Sequence, residues 1–103
     1  MITEIVLFSL PEGMTREEAT AKLKASVPIW QAEPALISKA YLFDADARKV
    51  GGVYLWENIE AAKKAHGPEF QKRIRATYGS DPEFRYFETP ILIDNRKGLV
   101  EAA

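Results

Sequence analysis

Apolar and polar residues alternate at strand period in several separate stretches of this chain. From Ile2 to Leu10 the sequence interleaves Ile2, Glu4, Val6, Phe8 and Leu10 with Thr3, Ile5, Leu7 and Ser9, so both faces of this first strand are largely apolar. Pro11-Glu12-Gly13 then predicts a turn. Leu36 to Asp44 sets Leu36, Ser38, Ala40 and Leu42 against Ile37, Lys39, Tyr41 and Phe43. A polar hairpin loop from Asp44 to Lys49 follows, and Gly51-Gly52 leads into a third strand with Val53 and Leu55 on one side and Tyr54 and Trp56 on the other. A last strand is expected from Glu83 to Asp94, with Pro90 inside it marking an edge position or a bulge.

Helical spacing fills the intervals. Thr15 and Glu18 form a T-x-x-E capping box, and Ala19, Leu23 and Val27 recur at i+4 behind it. Pro28 predicts a break or kink there, because it lacks an N–H and crowds the preceding turn. Asn58 suits a helix cap, and Ile59, Ala62 and His66 share one stripe of the second helix. That helix is interrupted at Gly67-Pro68, and Phe70, Ile74 and Tyr78 continue the stripe towards a C-cap at Gly79. Beyond Asn95 the pattern fades, so the domain is drawn over 1–95 and a tail, loose or packed on a neighbour, over 96–103.

The order β-α-β-β-α-β is the ferredoxin-like α+β plan, an antiparallel sheet with two helices on one face. Strands apolar on both faces leave the uncovered face as a large hydrophobic patch. Sheet-to-sheet packing of a homodimer resolves it.

Composition narrows the functions. The chain has 103 residues and a net charge of -1, which supplies no positive field for a nucleic acid backbone. Zero cysteines exclude disulfides, thiolate catalysis and thiolate metal sites, and the lone histidine, His66, makes a conventional metal site a poor fit. No apolar run approaches a bilayer span and no secretory signal is recognisable, so a cytoplasmic protein is expected. Gly51-Gly52 lacks the spacing of a phosphate-binding loop, and no cofactor is expected.

Four runs carry a resemblance: Met-Ile-Thr-Glu-Ile-Val-Leu-Phe at the start, Trp-Gln-Ala-Glu-Pro at 30–34, Gly-Gly-Val-Tyr-Leu-Trp-Glu at 51–57 and Arg-Tyr-Phe-Glu-Thr-Pro at 85–90. Over residues 1 to about 95 the chain resembles the YdhR-like monooxygenases of the dimeric α/β-barrel superfamily, relatives of the antibiotic-biosynthesis monooxygenases. The resemblance implies paired sheets, outer helices, a small-molecule pocket between helices and sheet, and oxidation of aromatic compounds. Quinone-forming members are similar in a strand tryptophan, matched by Trp56, and carry an asparagine earlier on that strand where this chain has Gly52. Haem-degrading members are similar in pairing a strand tryptophan with a helix histidine, matched by Trp56 and His66, but need a first-strand asparagine that residues 2–10 lack.

The chemistry these residues allow needs only a base and a dry aromatic cavity: a phenol or activated carbon, once deprotonated, passes an electron to oxygen. His66 is the candidate base, with Trp56 beside it as a second catalytic candidate. Tyr54, Trp30 and Tyr41 are candidate walls for a small aromatic substrate, and Arg85 either meets an anionic substrate group or pairs with Glu57 or Glu88. Against this stand two other readings: a non-catalytic binder of an apolar ligand such as haem, and a structural dimer whose aromatics and His66 only fill the core.

Overall fold

Strand β1 (Ile2–Ser9) turns its even-numbered side chains to the interior, where Glu4 and Val6 have no exposed surface and Phe8 has almost none. It is a central strand of the sheet in a computed structural model that describes residues 1–102. Strands β2 (Leu36–Asp44), β3 (Lys49–Trp56) and β4 (Glu83–Glu88) join it in the order β2-β3-β1-β4, all neighbours antiparallel. The registers set Glu4 opposite Tyr54 on β3 and opposite Tyr86 on β4. One face of the sheet therefore carries Glu4, Tyr54, Trp56 and Tyr86 together, because side chains directly across an antiparallel ladder point the same way.

Helices cover that face. Helix α1 (Arg16–Gln31) starts at Thr15, whose hydroxyl accepts the Glu18 N–H at 3.1 Å. It does not break at Pro28. Proline deletes only the bond its own N–H would make, and the final turn closes regardless, with Ala32 N–H donating to the Pro28 carbonyl at 3.2 Å. Trp30 consequently stays on the inner face and is buried. Helix α2 (Ile59–Ala65) is capped by Asn58, which accepts the Ala61 N–H at 2.8 Å, and it ends at His66. Helix α3 (Pro68–Tyr78) opens on Pro68 and closes on Gly79, whose φ of 73° lies in the left-handed region. The expected interruption at Gly67-Pro68 is thus a full break, and there are three helices in the described residues.

The expected strand over 83–94 is two strands. Thr89 N–H donates to the Met1 carbonyl at 2.9 Å, but Pro90 has no N–H to extend the ladder. The chain leaves the sheet as β5 (Ile91–Asp94), which pairs with β6 (Leu99–Ala102) in a separate two-stranded hairpin. A boundary at residue 95 falls in the turn of that hairpin, where Lys97 N–H donates to the Asp94 carboxylate at 3.2 Å. Ile91, Ile93, Leu99 and Val100 on it are exposed.

The core lies between helices and sheet, from Val6, Phe8 and Val50 to Trp30, Phe70, Ile74 and Tyr78. The opposite sheet face carries Ile5, Leu7, Val53 and Phe87 and has no helix over it. No helix is long and apolar enough to cross a membrane.

Candidate active site

Glu4 is the unexpected residue of the core. It occupies an apolar register of β1, fully buried, and an unpaired carboxylate there would cost several kcal/mol, on the order of the penalty for a buried ion. Trp56 meets it from β3: the indole Nε1–H donates to Glu4 Oε1 at 2.9 Å. His66 meets it from the end of α2, with Nδ1 2.8 Å from the same oxygen. That approach is within ion-pair reach but out of line for a ring N–H bond. By hydrogen-bond geometry Glu4 Oε2 and both ring nitrogens of His66 therefore have no partner.

Aromatic rings enclose this cluster. Around His66 stand Phe70 at 4.5 Å, Tyr54 at 4.6 Å, Trp30 at 5.1 Å, Phe84 at 5.6 Å and Trp56 at 6.1 Å between ring centroids. Burial, and then the Glu4 carboxylate, push the Tyr54 hydroxyl well above its ordinary pKa. The same two causes raise Tyr86 to about 12. Both phenols stay protonated through the neutral range.

Next to the cluster a cleft of about 230 Å³ opens between α1, α3 and the sheet, lined by Trp30, Lys39, Tyr41, Tyr54, Phe70 and Arg73 among others. Lys39 is its most distinctive group. Its Nζ lies 4.0 Å from the Tyr41 ring centroid, 4.2 Å from Trp30 and 4.4 Å from Tyr54, a cage with three aromatic walls. No carboxylate among the described residues lies within ion-pair distance of it. Burial, and then the Arg73 guanidinium, lower its pKa to about 7 against the opposing pull of Glu4. Amine and ammonium thus coexist near neutral pH. Tyr41 is itself fixed: Ser26 Oγ donates to the Leu23 carbonyl at 2.7 Å, which leaves the Tyr41 hydroxyl to donate to Ser26 at 2.6 Å.

Two local features deliver Lys39 to the cleft. The β2–β3 register slips between Leu36 and Ser38, after which Lys39, Tyr41 and Phe43 all face the helices. Opposite Tyr41, Gly52 has no side chain, and a Cβ there would stand 2.9 Å from Lys39 Cε. The lysine stem fills that space.

The structure brings Trp30, Tyr41 and Tyr54 together around the cleft. His66 and Trp56 do not line it; they are packed into the buried cluster, and His66 presents no ring nitrogen there to a substrate or a haem iron. Arg85 lies elsewhere. Paired with Ile5, it projects from the helix-free face, with its guanidinium 5.1 Å from the Phe87 ring and no ion pair to Glu57 or Glu88. Lys39 and Glu4 escape the sequence reading, although Glu4 is visible there as a charge on an apolar register. Among the described residues no three potential metal ligands cluster.

The fold has counterparts among solved structures. A protein from Bordetella bronchiseptica inferred to be an antibiotic biosynthesis monooxygenase superposes with a TM-score of 0.65 at 15% identity, over 85% of this chain and 95% of its own. One from Deinococcus radiodurans, inferred to be of the same kind, gives 0.63 at 17% identity, over 91% and 97%. A variant of SnoaB, a cofactor-independent oxygenase from Streptomyces nogalater, gives 0.62 at 16% identity, over 85% and 91%. The chain thus has the α+β ferredoxin-like fold of these proteins. No family profile matches it. No curated protein is similar to it in sequence.

Proposed function

We propose that this chain is a cofactor-independent oxygenase of the antibiotic biosynthesis monooxygenase kind, within it of the YdhR-like group, acting on a small aromatic compound in the cleft beside Lys39. The observation that carries the reading is the Lys39 amine set against three ring faces inside an aromatic cleft, where burial lowers its pKa. Lys39 takes the role of base that His66 holds in the sequence reading. It accepts the proton of a bound phenol, and the ammonium so formed, with Arg73, holds the phenolate. The phenolate gives an electron to O2, the radical pair joins at a free ring carbon, and loss of water leaves a quinone. One oxygen atom enters the product, the other leaves as water, and the substrate supplies every electron.

Trp30, Tyr41 and Tyr54 hold the substrate ring and exclude water. Trp56 and His66 are positioning residues: they fix the Glu4 carboxylate, which lies across the ladder from Tyr54. The working unit is a homodimer, in which a second copy covers the helix-free face bearing Ile5, Leu7, Val53 and Phe87. Sedimentation at micromolar concentration should give twice the chain mass.

The function is tested by oxygen uptake with electron-rich phenols that have a free para position, with no cofactor added. Incorporation of one atom from labelled O2 is expected, and Lys39→Met should abolish it. Uptake absent across the panel, with the phenols still bound, would leave an apolar-ligand binder instead.

A further inference from the structure

The cage around Lys39 permits a second kind of chemistry, independent of oxygen. Nζ is held by ring faces rather than by an acceptor: no carboxylate stands within ion-pair distance and no side-chain or backbone oxygen bonds it among the described residues. Its lone pair, once free of a proton, is therefore not committed to a neighbour. Lys39 also lines two openings, together with Trp30 and Tyr41. One is the cleft with Tyr54 and Phe70, and the other, of about 530 Å³, is bordered by Val27, Gln31 and Leu36. A ring held in the first against Trp30, Tyr41 and Tyr54 would lie beside the lysine side chain. The absence of a side chain on Gly52 gives the lysine stem its room, so this position is specified by the backbone beneath it.

We propose that Lys39 is the nucleophile of an imine-forming site, where its amine condenses with the carbonyl carbon of a small aromatic aldehyde or ketone held against Trp30, Tyr41 and Tyr54. The nitrogen lone pair attacks the carbonyl carbon and the carbonyl π pair moves to oxygen. Transfer of a proton from nitrogen to oxygen gives a carbinolamine. Loss of the hydroxyl with the second amine proton, as water, then leaves a C=N bond. Nothing is oxidised or reduced. The near-neutral titration of Lys39 supplies the free amine for this step without alkaline conditions.

The inference shares the cleft with the oxygenase reading but not its oxygen step, and the two can fail separately. The full-length protein is incubated without oxygen with 4-hydroxybenzaldehyde and cyanoborohydride, then digested and mapped by mass spectrometry. The expected result is a reduced adduct on Lys39 forming at least tenfold faster than on Lys22, Lys63 or Lys64, already at pH 7. Lys39→Arg, which keeps a cation in the cage, should remove that adduct and leave the slow surface labelling unchanged. Site mapping in the unaltered protein stands even if the variant fails to fold. Labelling spread evenly over the surface lysines, or an adduct rate at Lys39 that rises only near pH 10, would overturn the proposal. Adduct formation without oxygen uptake in the phenol assay would uphold it and remove the oxygenase.

Discussion

The bare backbone of Gly52 and the stem of Lys39 fit together: a Cβ on Gly52 would stand 2.9 Å from Lys39 Cε. Lys39 is the flexible partner, so Gly52→Ala should displace it rather than unfold the sheet. The cost expected is about 1 kcal/mol, the low end for overpacking. The diagnostic change is in titration. Followed by NMR at its ε-carbon, Lys39 should titrate near 7 in the unaltered protein and move towards 10.5 in the variant.

Lys39 also gives the fold a pH dependence of definite sign. Its folded pKa, about 7, lies below the 10.5 of an exposed lysine, so between those values the unfolded chain binds more protons than the native one. Stability contributed by this group therefore rises as pH climbs from about 7 towards 10.5. Tyr86 acts the other way above pH 10, because its folded pKa of about 12 exceeds the 10.0 of an exposed tyrosine. Chemical denaturation between pH 7 and 9.5 isolates the lysine. Lys39→Met should flatten the slope there, and an unchanged slope would assign it to other groups.

The buried carboxylate makes its partners hard to remove. Trp56→Phe keeps the ring but deletes the donor to Glu4 Oε1, for an expected loss of about 1–3 kcal/mol. His66→Ala empties the space of a buried ring packed against Phe70, Tyr54 and Trp30 and should cost more, about 3–5 kcal/mol, as for large-to-small changes of core rings. If Glu4 is the link, Glu4→Gln should shrink the effect of Trp56→Phe in a double-mutant cycle measured by urea unfolding. Strictly additive losses would mean the two residues only share space.

Gly51 faces a harder obstacle than its neighbour. A Cβ there would stand 1.8 Å from the Val6 carbonyl oxygen, which is backbone and cannot rotate away. Gly51→Ala should thus be worse than Gly52→Ala, losing about 3 kcal/mol or preventing soluble expression. Equal melting temperatures for the two variants would contradict this.

Much of the fold is readable along the chain because its signals are local. Thr15, Asn58 and Gly79 cap where their side chains or backbone freedom predict, and Tyr54 and Trp56 share the face that alternation assigns them. Misreadings arise where distant contacts decide. Pro28 is absorbed because only one bond is lost near the end of an otherwise packed helix. Pro90 ends a strand that apolar alternation continues past. The site is less legible than the fold. Lys39 acquires its surroundings from a register slip and Tyr41 on its own strand, but also from Gly52 and Tyr54 on β3 and Trp30 on α1, which only the fold brings to it. His66 reads correctly as inward-facing, but its neighbour Glu4 is 62 positions away, and only the strand–helix packing shows that the two meet.

The β5–β6 hairpin has a consequence for how the chain behaves in a test tube. A lone two-stranded ribbon is at best marginally stable in water, and this one leaves Ile91, Ile93, Leu99 and Val100 bare. Its order should accordingly depend on dilution. In limited digestion at nanomolar protein, a protease of broad specificity should cut first after Glu88 and trim the arm, leaving the four-stranded body intact. At high concentration, where a neighbouring molecule can cover those four side chains, the same bonds should survive.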